Sequence, residues 1–128
     1  MLLVGLVLAA LAALLHVFIF YLESYAWASP AARDTFGHRR DEVEATRMLA
    51  FNQGYYNFFL AVLVALGIVL YSLGHDVVGL TLVFAGVGSM LAAALVLLLA
   101  SARHRGAAVK QGVLPLLAVA ILAYALLS

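Results

Sequence analysis

Two ionisable side chains, His16 and Glu23, stand inside the first long apolar run of this chain, and three amides, Asn52, Gln53 and Asn57, stand inside the second. A histidine and a carboxylic acid on one helix can share proton transfer, one as base and the other as acid. They can equally orient the polar head of a small ligand, since an apolar pocket with a few convergent polar groups is the usual form of such a site. Ionisable groups at membrane depth are expensive, so they face a bundle interior and mark either a functional site or a buried packing contact. At 100° per residue, Gly5, Ala12, His16 and Glu23 fall within about 20° of one line, with Ala9 and Trp27 beside it. That face is small at one end and polar at the other, and it is expected to look inward. His16 and Glu23 are two turns apart, roughly 10.5 Å along the axis. A side chain, a water or a ligand therefore has to lie between them.

In the second run, Asn52, Tyr56 and Phe59 share a face, Tyr55 sits at its edge, and Gln53 and Asn57 lie about 100° round. Counted from the helix ends, Asn52 is at the depth of Glu23 and His16 near that of Phe59. Antiparallel packing is expected to set Glu23 beside Asn52, with tyrosine hydroxyls in the gap toward His16. The last apolar run adds Gln111 and Pro115; proline has no N–H, so the Gln111 carbonyl loses its helical donor. The candidate ligand-binding set is His16, Glu23, Asn52, Gln53, Tyr55, Tyr56, Asn57 and Gln111, roofed by Arg47, Arg103, Arg105 and Lys110. His16 and Glu23 are also the catalytic candidates. Each has a plainer reading. Amides in membrane helices often only bond a neighbouring helix, at about 0.6 kcal/mol, and a lone histidine is often a packing residue. Tyr21, Tyr25 and Trp27 suit an interfacial aromatic belt. Glu23 resists such a reading most, because a carboxylate at that depth needs a partner or a proton.

These residues must be carried by membrane helices. Of 128 residues, 67% are hydrophobic and 10% charged, against roughly 45–50% and 25% in soluble domains. The apolar stretches Leu2–Trp27, Met48–Leu73, Val77–Ala100 and Ala108–Leu127 are each long enough to cross a hydrocarbon core of about 30 Å as a helix. The fold class is thus all-α, an integral membrane bundle of four transmembrane helices. It forms a single domain over 1–128, with helices at about 2–28, 42–73, 77–101 and 108–127 and a connection at 29–41. Ala26-Trp27-Ala28 has the small-x-small look of a cleavage site. The run before it lacks a basic start and is too long for a signal peptide, so it reads as a retained helix.

All seven Lys and Arg residues fall in two connections: Arg33, Arg39, Arg40 and Arg47 in one, Arg103, Arg105 and Lys110 in the other. The turn at Gly74-His75-Asp76 has none. The positive-inside rule makes both basic connections cytoplasmic and both termini external, in the inner (plasma) membrane. Ser29-Pro30 is expected to stop the first helix, and Asp41-x-x-Glu44 to form a capping box for the second. Gly74 is placed to end that helix, and Asp76 to cap the third. His38, Arg39 and Arg40 are placed to meet anionic headgroups, and the plainer and preferred reading is that they only set topology. Helix three carries small residues at Ala85, Gly86, Gly88, Ser89, Ala92 and Ala93, a surface for close packing within the bundle or against a second copy. Homo-oligomer formation is therefore left open.

His16 with Glu23, the block from Asn52 to Ala61 (Asn-Gln-Gly-Tyr-Tyr-Asn-Phe-Phe-Leu-Ala), and Gln111-Gly112-Val113-Leu114-Pro115 together resemble the domain of unknown function 1304 family. The family's common Trp after the Glu is Trp27 here, and the resemblance runs through essentially the whole chain. It implies a four-helix bacterial membrane protein and no established activity.

Cysteine is absent, so no thiolate metal site is available; no metal and no cofactor are expected, and a net charge of +1 suggests no nucleic-acid partner. The expected partners are membrane lipid and a small amphipathic ligand, whose anionic or polar head would suit the basic roof. Binding or carrying such a molecule near the cytoplasmic side is the leading functional reading. One alternative is an intramembrane acid–base enzyme of the isomerase kind using His16 and Glu23. Another is a proton-coupled small-molecule exporter in which Glu23 exchanges a proton for a cationic substrate.

Overall fold

Inside lipid the backbone must satisfy its own hydrogen bonds, and a segment that does so alone is a helix. The computed structural model describes all 128 residues and is helical throughout, without strands. Its α-helices are α1 (Leu2–Ser24), α2 (Pro30–Phe36), α3 (Val43–Ser72), α4 (Asp76–Ala100) and α5 (Arg105–Leu127). Short 3-10 turns at Arg40–Glu42 and Ala102–His104 lead into α3 and α5. Four elements, all but α2, are long and apolar enough to cross a membrane. They form a four-helix membrane bundle in which α1 packs on α3 and α5, and α4 packs on the same two from the opposite corner.

The α1 face deduced from helical spacing is the buried one: Gly5, Ala9, Ala12, His16 and Glu23 all point inward. The core away from the basic connections is built from small and branched side chains, with Ala9 and Ala12 of α1 against Val64 of α3, Val83 and Val87 of α4, and Leu122 of α5. Small residues let backbones approach, which matters in lipid because helix association there rests on packing. Gly67 and Gly79 mark a tight α3–α4 crossing: a Cβ on Gly67 would lie 2.7 Å from the Gly79 carbonyl oxygen. Gly54 does the same for α1 and α3, where a Cβ would lie 3.0 Å from the Phe20 carbonyl oxygen and 3.1 Å from the Glu23 Cβ.

The turn between α3 and α4 follows the sequence reading. Gly74 adopts φ +87, and the N–H groups of Gly74 and His75 reach back to the carbonyls of Tyr71 and Leu70 at 3.0 and 2.9 Å. These are the two bonds of a Schellman ending. Asp76 is the first residue of α4 rather than its cap; it makes no capping bond, and its charge instead lies in the first turn.

The first connection departs further from expectation. α1 ends at Ser24, before Ser29-Pro30, and those two residues start α2: the Ser29 Oγ accepts the Ala32 N–H at 3.1 Å with Pro30 in the first turn. Gly37, at φ +75, ends it. Ala32 and Phe36 then bury themselves against Ile19, Leu22 and Ala107, so α2 folds onto the end of the bundle as part of a second core. The expected Asp41–Glu44 capping box does not form. Because α3 is entered through the tight turn at Arg40–Glu42, the carboxylate three residues beyond Arg39 is Glu42, which accepts the Arg39 N–H at 2.7 Å. Asp41 and Glu44 pair with the side chains of Arg39 and Arg47 instead.

The Gly54 contact yields a stability test. Gly54→Ala is expected to destabilise the bundle by about 1–3 kcal/mol through overpacking. Gly88→Ala, where an added Cβ meets nothing within 4 Å, should be neutral or slightly stabilising. Thermal unfolding of both variants in detergent checks this; equal melting temperatures would refute the close approach at Gly54.

Candidate functional site

Glu23 lies in the last turn of α1 with 8% of its surface exposed, and its carboxyl has one partner: the Asn57 Nδ2 donates to Oε2 at 2.7 Å. Asn57, 6% exposed, comes from α3. The partner expected from depth alone, Asn52, is exposed. Helical spacing places Asn52 and Asn57 on different faces without deciding which turns inward. Packing decides it: Ala50, Gly54, Asn57, Ala61 and Val64 are the buried stripe of α3, because the α1 backbone can come close only over Gly54. The Ser24 hydroxyl, donating to the Phe51 carbonyl at 2.9 Å, ties the same two helices.

The tyrosines do not fill the gap toward His16. Tyr55 is half-buried and its hydroxyl bonds that of Tyr25, within an aromatic group that includes Phe20 and Phe51. Tyr56 is 58% exposed. His16 is buried at the bundle centre, its Nδ1 2.8 Å from the Ala12 carbonyl oxygen. A carbonyl only accepts, so Nδ1 carries the proton and Nε2 is the open acceptor.

Glu23 and Asn57 share the wall of a cavity of ≈ 640 Å³ with Gln53 of α3 and Gln111 of α5. His16, Asn52, Tyr55 and Tyr56 are not on that wall. Neither Gln53 nor Gln111 makes a side-chain hydrogen bond within the chain; Gln53 is exposed and Gln111 half-buried. Of the other lining residues, Ala93, Val96 and Ala100 of α4 are exposed, as is Arg103. Two smaller cavities, ≈ 350 and ≈ 390 Å³, also border Glu23 and Trp27.

The roof is made by the first connection rather than by a set of basic residues. Of the four expected cations only Arg103 reaches the cavity. Its guanidinium grips Glu42 through Nη1 and Nη2 at 2.8 and 2.7 Å, and Nη2 also donates to the Gly37 carbonyl at 3.0 Å. Lys110 donates to the Asp34 carbonyl at 2.9 Å, Arg105 turns to the Leu98 carbonyl, and Arg47 turns to Glu44. Their long stems reach nearby backbone or carboxylate acceptors instead.

Two residues of this wall were assigned elsewhere by sequence reasoning. Trp27, expected in an aromatic belt, is half-buried, borders the cavity and donates its Nε1–H to Thr46 at 2.9 Å. Its place near the His16–Glu23 line was the available signal. His38, expected at the headgroups, is 8% exposed and stacks on Trp27 with centroids 3.8 Å apart and planes 12° apart. Its Nε2 lies 2.9 Å from the Trp27 carbonyl oxygen. Nothing in the sequence signals this, since it depends on how the connection folds back. No three His, Asp or Glu side chains converge in a way that would hold a metal ion.

The family model described as protein of unknown function (DUF1304) matches residues 10–123. No curated protein and no solved structure matches the chain.

The Glu23–Asn57 contact can be separated from the Asn52 alternative by mutation. Asn57→Leu leaves a buried carboxyl unpartnered and is expected to cost about 1–3 kcal/mol. Asn52→Leu, on the exposed face, should change stability by less than about 0.5 kcal/mol. Unfolding in detergent measures both, and a larger loss for Asn52→Leu would reverse the assignment.

Proposed function

The chain belongs to the DUF1304 family of proteins of unknown function, and we propose that it binds or carries a small amphipathic molecule in the cavity beside Glu23. One observation carries this reading. The buried Glu23–Asn57 pair stands in the wall of a ≈ 640 Å³ cavity whose other amides, Gln53 and Gln111, have no side-chain partner within the chain. Small-molecule pockets are commonly about 300–1,000 Å³, mostly apolar, with a few polar groups that fix orientation. Apolar Ala93, Val96 and Leu97 of α4 supply a wall for a tail, and Ala93 and Val96 are also exposed at the surface of the bundle. By the positive-inside rule the basic end, and the cavity with it, faces the cytoplasm of a cell whose plasma (inner) membrane holds the protein. The acid–base reading needs His16 and Glu23 on one substrate, and His16 is outside the wall of this cavity. The exporter reading rests on Glu23 alone.

Native mass spectrometry of the protein released from gentle detergent is expected to show a discrete adduct, lost in Glu23→Gln. A bare protein in both samples would remove the support for a retained ligand, and an adduct in both would place it away from Glu23. Sidedness has its own test, because the chain has no cysteine. With single substitutions Arg40→Cys and His75→Cys, both at exposed positions, an impermeant maleimide on intact cells should label the second and spare the first. The opposite pattern would invert the orientation.

A further inference from the structure

The cavity's polar chemistry identifies a class of head group, and this step rests on the binding reading above. We propose that the cavity takes its ligand by a cationic, hydrogen-bond-donating head, a primary amine on an apolar tail, and not by an anionic head. The basic connections suggest the reverse, but the positions of the charges oppose it. Three carboxylate or guanidinium groups stand on the wall: Glu23, Glu42 and Arg103. Arg103 and Glu42 satisfy each other at 2.7 and 2.8 Å, and the guanidinium's remaining contact is the Gly37 carbonyl. Glu23 is left as the acid whose only partner is a neutral amide. An anionic head would thus meet a carboxyl group and no unpaired guanidinium or ammonium group.

Hydrogen-bonding capacity points the same way. The Asn57 amide spends a donor on Glu23, so its unspent oxygen is an acceptor, as is the second oxygen of Glu23. In the wall, the His38 Nε2–H donates to the Trp27 carbonyl, so that nitrogen is not available to a ligand. The His38 Nδ1 has no partner, but it is closed off from the cavity space. The Thr46 hydroxyl is already used twice, accepting from Trp27 and donating to the Glu42 carbonyl. Gln53 and Gln111 offer donors and acceptors alike, so the local surplus is the pair of unspent acceptor oxygens on Asn57 and Glu23. An alkylammonium offers three donors and one positive charge, the complement of that surplus, and a charge-assisted bond to a carboxylate is among the stronger hydrogen bonds. The tail would lie along Ala93 and Val96 of α4, both of them exposed.

Trp27 is the only tryptophan and borders the cavity, so its fluorescence reports occupancy. The full chain in dodecyl maltoside at neutral pH is titrated with decylamine and, separately, with decanoate, two probes sharing one tail. The expected result is a saturable change with decylamine, at least about tenfold tighter than with decanoate, and weakened by at least about tenfold in Glu23→Gln. The comparison of the two probes uses the unmodified protein, so it stands even where the variant folds poorly. Equal or tighter binding of decanoate would overturn the amine head while leaving a binding site in place. Saturation by neither probe would overturn the head-group proposal and the binding reading together. Saturation by decylamine with unchanged affinity in a folded Glu23→Gln protein would overturn the role of Glu23.

Discussion

The hydrogen bond from the Asn57 amide to the Glu23 carboxyl is the contact around which one half of this bundle is arranged. A carboxyl group shut away from water must find a partner, and in a helix bundle that partner has to come from a neighbouring helix. The α1 and α3 backbones must then come close at that level, which only a residue without a side chain permits. Gly54, one turn before Asn57, is that residue. The close approach at Gly54 and this pairing together fix the rotation of α3 about its own axis. Asn57 and the small residues in phase with it turn inward, while Asn52 and Tyr56 turn outward.

The other half of the bundle depends on ordinary close packing. Beyond His16 the interior is alanine, valine and leucine, and glycines at Gly67 and Gly79 bring α3 and α4 together. His16 sits at the boundary, with one ring nitrogen returned to its own helix at Ala12. Toward the basic end the packing loosens into the ≈ 640 Å³ cavity, and a different device closes it. The first connection folds back as a short helix held by Phe36 and by the Trp27–His38 stack, and Arg103 joins it to the connection before α5. Charges that look like a lipid-binding roof in the sequence are largely spent within these connections.

Helix number and class were legible because lipid imposes them: a chain this apolar can satisfy its backbone only in four long helices. The inward face of α1 was legible too, since Gly5, Ala9, Ala12, His16 and Glu23 repeat at helical spacing and an acid in lipid has one tolerable direction. Gly74 announced its own turn through the positive φ that glycine adopts freely. The chain alone thus determined which residues are buried wherever a local rule sufficed. The partner of Glu23, the outward turn of Asn52, the burial of His38 and the capture of Arg103 by Glu42 were decided by the tertiary structure. Each depends on how one helix is rotated against another or on where a connection lands. Helical periodicity gives angles within a helix; only contact between helices supplies the reference from which they are measured.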